Sequence, residues 1–228
     1  VNLLLLSYWN IRRNIIGHMP GSKRERNFDK VFEFGYIREF YGRKFHMIDR
    51  ETAYDLMVSK IKNRNLQKHI LAVEAGMIGL ARHFGEDEEK WGLVGLLHDL
   101  DYDKTAKDPD RHTFVTEEWL KEYNLPDDMI YTIRCHPGHA PCRSRMDWSL
   151  YTTDPTTGFI VACALMHPSK KLVNVDRDFM LRRFGEKRFA AGATRDNMAA
   201  CSNLGLELGD FLMLIREAMQ TISDKLEL

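Results

Sequence analysis

At 228 residues the chain is long enough to bury one substantial core, or one domain carrying an extra segment, so small-protein staples are unnecessary. Its 44% hydrophobic and 29% charged content excludes a disordered or fibrous chain. Lys plus Arg and Asp plus Glu balance at 33 each, so no global field favours DNA, RNA or an anionic membrane, and neither nucleic acid nor membrane is expected as a partner. The cysteines at 135, 142, 163 and 201 form no CxxC pair, which fits a reducing, cytoplasmic location without disulfides. The apolar run Leu3 to Leu6 falls far short of the roughly 20 residues that span a bilayer, and it lacks the features of a secretory signal.

Residues 1–46 scatter Arg12, Arg13, Lys23, Arg24, Arg26, Arg38, Arg43 and Lys44 among aromatics without a helical or strand period. From Met47 the text changes, and Asp49 can cap a helix with Glu51 in its first turn. The expectation is that Met47 is the true start and that 1–46 is an upstream extension; the other reading is a genuine N-terminal helical or docking segment. Finding residues 1–46 intact in the protein from its source would refute the extension. Residues 47–228 read as one domain.

Beyond Met47 the periodicity predicts helices almost throughout. Asn65 precedes Leu66, Ile70, Val73, Met77 and Leu80, spaced by three and four, and Gly85 marks a stop. Further helices are predicted over 88–98 and 113–123, and from Pro126, a favoured first helical residue. More follow at 147–151, 156–167, 175–183, 195–203 and 208–225, with polar loops at 100–111 and 137–145. No alternating β pattern competes. The C-terminal Leu206, Leu208, Phe211, Leu212, Leu214 and Ile215 either close the core or form a dimer face, so monomer and homodimer both stay open.

The strongest chemical signal is Gly-Leu-Leu-His98-Asp99-Leu-Asp101-Tyr-Asp103, an apolar helix ending in an imidazole beside a carboxylate, a donor pair suited to divalent transition metals. Alone it is weak. His69 sits in an apolar helix face, where a hydrogen-bonded core histidine is the ordinary reading, and Asp154 before Pro155 reads equally as a helix cap.

Taken in order, His69, His98-Asp99 and Asp154 resemble the H…HD…D ligand series of the HD-domain superfamily, closest to its small HDIG-type or HD-type hydrolases, over essentially 47–228. The resemblance implies an all-α, compact multi-helix bundle with a metal site between helices. It also implies metal ligation by His69, His98, Asp99 and Asp154, and a phosphohydrolase activity. In its dinuclear branch a histidine stands at each of the positions of His112 and His136, implying a second ion held by these two with Asp99 bridging; with a single ion they would serve phosphate binding or leaving-group protonation. The cofactor is one or two divalent ions among Mn, Fe, Co, Ni and Zn. The usual His-Asp-Ile-Gly-Lys element reads His98-Asp99-Leu100-Asp101-Tyr102, so the phosphate contact of that lysine is not carried over, with Lys104 as a substitute.

The expected reaction is attack of metal-activated water on a small phosphorylated substrate, a nucleotide among the options, with Asp99 in the catalytic set and Asp101 or Asp103 as water-orienting residue or general base. Lys104, Lys170, Lys171 and Arg195 are the candidates for substrate phosphate. Rivals are an HD-type di-iron oxygenase and a non-catalytic metal- or nucleotide-binding module. Cys135, His136, His139 and Cys142 offer a competing closed zinc site, which Pro137 and Pro141 make awkward. His18, His46, His83 and His167 belong to no constellation.

Overall fold

The computed structural model describes residues 47–228; the expected extension 1–46, with His18 and His46, lies outside the described residues. Among the described residues there is no strand, and the all-α bundle anticipated from the periodicity is what forms.

Side-chain caps start the first helices. Helix α1, Arg50–Lys60, begins where the Asp49 carboxylate accepts the Thr52 amide at 2.8 Å. Helix α2, Arg64–Phe84, is capped by Asn63 rather than Asn65, because the Asn63 side chain accepts the amides of Asn65 and Leu66. It ends at Gly85, whose φ of 69° is the left-handed closure that a glycine supplies without strain. Helix α3, Glu88–Leu97, is capped by Asp87. The stretch expected as loop between α3 and the next long helix contains a short helix α4, Tyr102–Thr105, and a 3-10 turn, Pro109–Arg111. Helix α5, Phe114–Leu120, runs on into a 3-10 turn, and α6, Asp127–Cys135, follows with Pro126 as its cap, one residue outside the expected first position.

The sequence predicted two helices flanking Asp154. Instead α7, Arg145–Met166, runs unbroken through Pro155 from a capping box at Ser144 and Asp147. Proline removes a hydrogen bond from a helix interior, here the one to the Tyr151 carbonyl four residues back, and the helix continues nonetheless; around it the Thr152 hydroxyl donates to Trp148, Thr156 to Thr152 and Thr157 to Asp154. Asp154 is therefore a mid-helix residue, not a cap. Helices α8, Arg177–Phe184, α9, Arg195–Ala199, α10, Leu208–Gln220, and α11, Ser223–Leu226, complete the bundle.

Helix α2 is the axis, with α3, α7 and α10 packed on it. Phe211, Leu212, Ile215 and Met219 of α10 are buried, so the C-terminal apolar run closes the core. Helix α3 lies unusually close to α2: a Cβ on Gly95 would stand 2.8 Å from the Glu74 backbone, and one on Gly92 would stand 2.9 Å from Ile78. That approach brings the His98 end of α3 to His69, the ring centroids being 5.6 Å apart. Glu74, buried at this contact, is held by both nitrogens of a bidentate Arg50 fork at 2.6 and 2.9 Å.

Candidate metal centre

Six side chains from five parts of the chain converge: His69 from α2, His98 and Asp99 from the end of α3, His112 after the 3-10 turn, His136 at the end of α6, and Asp154 from α7. His98 and His136 are placed by one device. Each caps a helix C-terminus, where carbonyls lack intrahelical donors, and each ring donates Nδ1–H to the carbonyl three residues back, Gly95 at 2.8 Å and Ile133 at 2.6 Å. His112 is aimed through a carboxylate instead, its Nδ1 lying 2.8 Å from Asp101 Oδ1. The following Thr113 holds a φ of 69°, a conformation rare outside glycine. His69 Nδ1 meets Thr157 Oγ1 at 3.2 Å.

The consequence is a common tautomer. All four rings have Nδ1 engaged by a protein acceptor, so all four turn Nε2 inward, and it is this nitrogen that the neutral imidazole would offer to a divalent ion. The Nε2 of His69 lies 3.1 Å from Asp154 Oδ1 and 3.8 Å from Asp99 Oδ2; that of His98 lies 3.5 Å from Asp99 Oδ2. The other oxygen of Asp99, Oδ1, faces His112 at 3.2 Å and His136 at 3.4 Å. Asp99 thus divides its two oxygens between two nitrogen pairs. His98 is fully buried and its Nε2 has no hydrogen-bond partner, an expensive atom unless a cation takes its lone pair.

Electrostatics agree. Burial pushes His98 down to about 4, keeping it neutral. Burial opposes ionisation of Asp99 too, yet His98, His112 and His136 hold its carboxyl well below the usual carboxylate range. Burial likewise works against a charged His112, but its hydrogen bonds to Asp101 and Asp99 prevail and push it up to about 9. The carboxylates therefore draw positive charge into this spot.

Asp101 is buried and does not face the cleft: its carboxylate accepts from His112, from the Thr116 amide at 3.0 Å and from Thr105. With its lone pairs so engaged it orients His112 rather than water. Asp103 accepts the Lys62 amide at 2.7 Å on the exposed side of α4. His139 stacks on Phe114, and the groups of potential ligands within reach of one another among the described residues include no cysteine, so the alternative zinc set is not assembled. All four cysteines are free thiols. His83 packs on Phe84 and His167 bonds Ser169, as ordinary surface histidines do.

The centre opens into a cleft of about 640 Å³ lined by His69, Asp99, His112, His136 and Asp154 at one end. None of the proposed phosphate-binding cations lines it. Lys104 lies over Trp119, Lys170 and Lys171 are exposed beyond α7, and Arg195 spends its guanidinium on the carbonyls of Phe184, Phe189, Ala190 and Ala193. Residues that sequence reasoning passed over include Thr157, which orients His69, and Tyr102 and Asn197, which line the cleft. Only the spacing of Thr157 three residues beyond Asp154 hinted at the first; nothing marked the others.

Residues 66–164 match the family model described as the HD domain, a span that begins just before His69 and ends beyond Asp154. Residues 66–164 are thus an HD domain, which places this part of the chain in the HD-domain superfamily. The matched HD domain contains all six converging residues, and its buried histidines and aspartates could hold a divalent metal. Comparison with curated proteins and with solved structures gave no match. No single described helix of the HD domain or its C-terminal helices is long and apolar enough to cross a membrane.

Proposed function

We propose that this chain is a metal-dependent phosphohydrolase that uses activated water on a small phosphorylated substrate, with two divalent ions in the centre. The observation that carries the reading is the unpartnered Nε2 of His98, buried among inward-facing imidazole nitrogens and carboxylate oxygens beneath an open cleft. Structural metal sites are closed; a site that opens to a cleft leaves room for water and substrate. His69, His98 and Asp154 would hold one ion, His112 and His136 the other, with Asp99 offering one oxygen to each. Bound there, such ions supply Lewis acidity for a phosphoryl oxygen and ionise water near neutral pH.

The residues account for the rest. Asp99 and Asp154 keep the net charge of the site low enough to release an anionic product. Asp101 fixes the orientation of His112. In the overall step a water oxygen bonds to phosphorus, the ester oxygen leaves with its electron pair, and the proton lost by water balances the one that oxygen gains. Imidazole and carboxylate donors without sulfur suit Mn, Fe, Co, Ni or Zn.

The test is metal content of protein purified without added metal, for wild type, His69→Ala and His112→Ala, followed by a phosphoester panel. Two equivalents in wild type, one in His112→Ala, and hydrolysis in wild type are expected. Iron with oxygen consumption and no hydrolysis would transfer the assignment to an oxygenase, and absence of metal would overturn it.

A further inference from the structure

The cleft extends well beyond the metal centre, and its far part has a distinct lining. Along one face of α7, Asp154, Gly158 and Ala162 recur every four residues, which sets Gly158 about 6 Å and Ala162 about 12 Å along the helix from the ligand Asp154. Across from them stand Ala190, Gly192, Ala193 and Thr194.

The two glycines among them do not serve packing. A Cβ on Gly76, Gly79, Gly92 or Gly95 would collide with protein at under 3.0 Å, so those glycines let helices approach. A Cβ on Gly158 or Gly192 would meet nothing within 4 Å. Gly158 is also an interior helical residue, where glycine weakens the helix relative to alanine. What lies in front of it is the cleft itself. The opposite wall is rigid, since the Arg195 guanidinium ties together the carbonyls of Phe184, Phe189, Ala190 and Ala193 and stacks on Phe159 at 4.7 Å. The wall offers one amide: Asn197, which lines the cleft, accepts the Tyr151 hydroxyl at 2.9 Å through Oδ1, so its NH2 is the group it has left to donate. At the head of the same cleft, the unpartnered and fully buried His98 Nε2 faces the carboxylates of Asp99 and Asp154, which line its floor.

We infer that the groove between α7 and residues 190–197 receives the organic group of the substrate, with Gly158 setting its size, and that this group is uncharged. The inference rests on the phosphoester reading of the metal centre for the placement of the phosphoryl end. The lining of this part of the cleft is small and apolar with an amide donor, which matches an uncharged ring or short chain and not a second phosphate.

The test compares wild type with Gly158→Leu, both loaded with Mn, by calorimetric binding of 1-naphthyl phosphate and of inorganic phosphate, and by hydrolysis of 1-naphthyl phosphate. Leucine at 158 projects into open space and favours the helix, so the melting temperature and metal content should hold. The expected result is a loss of at least about tenfold in 1-naphthyl phosphate affinity with inorganic phosphate affinity unchanged. Equal 1-naphthyl phosphate affinity in the two proteins would overturn the groove assignment even if both hydrolyse the ester. Binding that Gly158→Leu abolishes, without hydrolysis by wild type, would leave the groove standing and remove the phosphohydrolase reading. Tighter binding of inorganic triphosphate than of 1-naphthyl phosphate by wild type would overturn the uncharged-group assignment.

Discussion

At the scale of single residues, the centre is made by what sits behind each imidazole. The Nδ1 of His69, His98, His112 and His136 are engaged by three kinds of acceptor, a hydroxyl, two carbonyls and a carboxylate. Asp101 is the most consequential of these partners because it is charged and buried, and partners of this kind typically contribute about 10- to 100-fold to metal affinity. Asp101→Asn should therefore lower affinity for the second ion by about that factor while the ion at His69, His98 and Asp154 stays. Titration of chelator-treated protein with Mn, read by calorimetry, checks it; equal loss at both positions would count against the division of labour between the two oxygens of Asp99.

At the scale of elements, two close contacts set the geometry. Gly95 lets α3 lie on the Glu74 backbone, so Gly95→Ala should destabilise the fold by about 1–3 kcal/mol through overpacking, seen as a lower urea midpoint. It should also weaken metal binding, because the displaced helix end carries His98 and Asp99. Arg195 holds four carbonyls, all of which lose a charged donor in Arg195→Ala. A cost of about 2–3 kcal/mol in the same urea measurement is expected. If Arg195 were instead a phosphate ligand, the variant would keep its stability and lose only substrate affinity. Helix α7 shows how local rules yield: Pro155 signals a boundary, yet the helix that starts at the Ser144 capping box runs through it, with Phe159, Ile160 and Cys163 beyond the proline buried in the core.

At the scale of the whole molecule, the candidate ligands come from α2, α3, α6, α7 and the α4–α5 connection, so a bound ion would tie most of the HD domain together. Binding to the folded state alone stabilises it by about 2.7 kcal/mol at a free ion concentration one hundred times Kd. At about 2–4 °C per kcal/mol for a chain of this size, chelation should lower the melting temperature by about 5–10 °C, and added Mn should restore it. An unchanged melting temperature on chelation would show that the six residues do not share a bound ion.

Amphipathic period, capping residues and turn formers act over a few neighbours in the chain, so the helical class, the approximate positions of most helices and the donor types of the centre could be read from the residues alone. The order of His69, His98-Asp99 and Asp154 was legible as a family resemblance, and the residues are indeed brought together. The roles of Arg195, Asp101, Lys104, Lys170 and Lys171 were not legible. A cation in a sequence looks the same whether it faces a cleft or a set of backbone carbonyls, and a carboxylate looks the same whether it faces water or an imidazole. Those choices depend on which surfaces α2, α3 and α7 turn toward one another, and that is settled by packing between residues up to 88 positions apart, as in the contact of Thr157 with His69. Gly158 makes the same point from the other side: only the tertiary structure distinguishes a glycine that admits a neighbouring helix from one that leaves an open cleft, because the difference lies in what occupies the space beyond its missing Cβ.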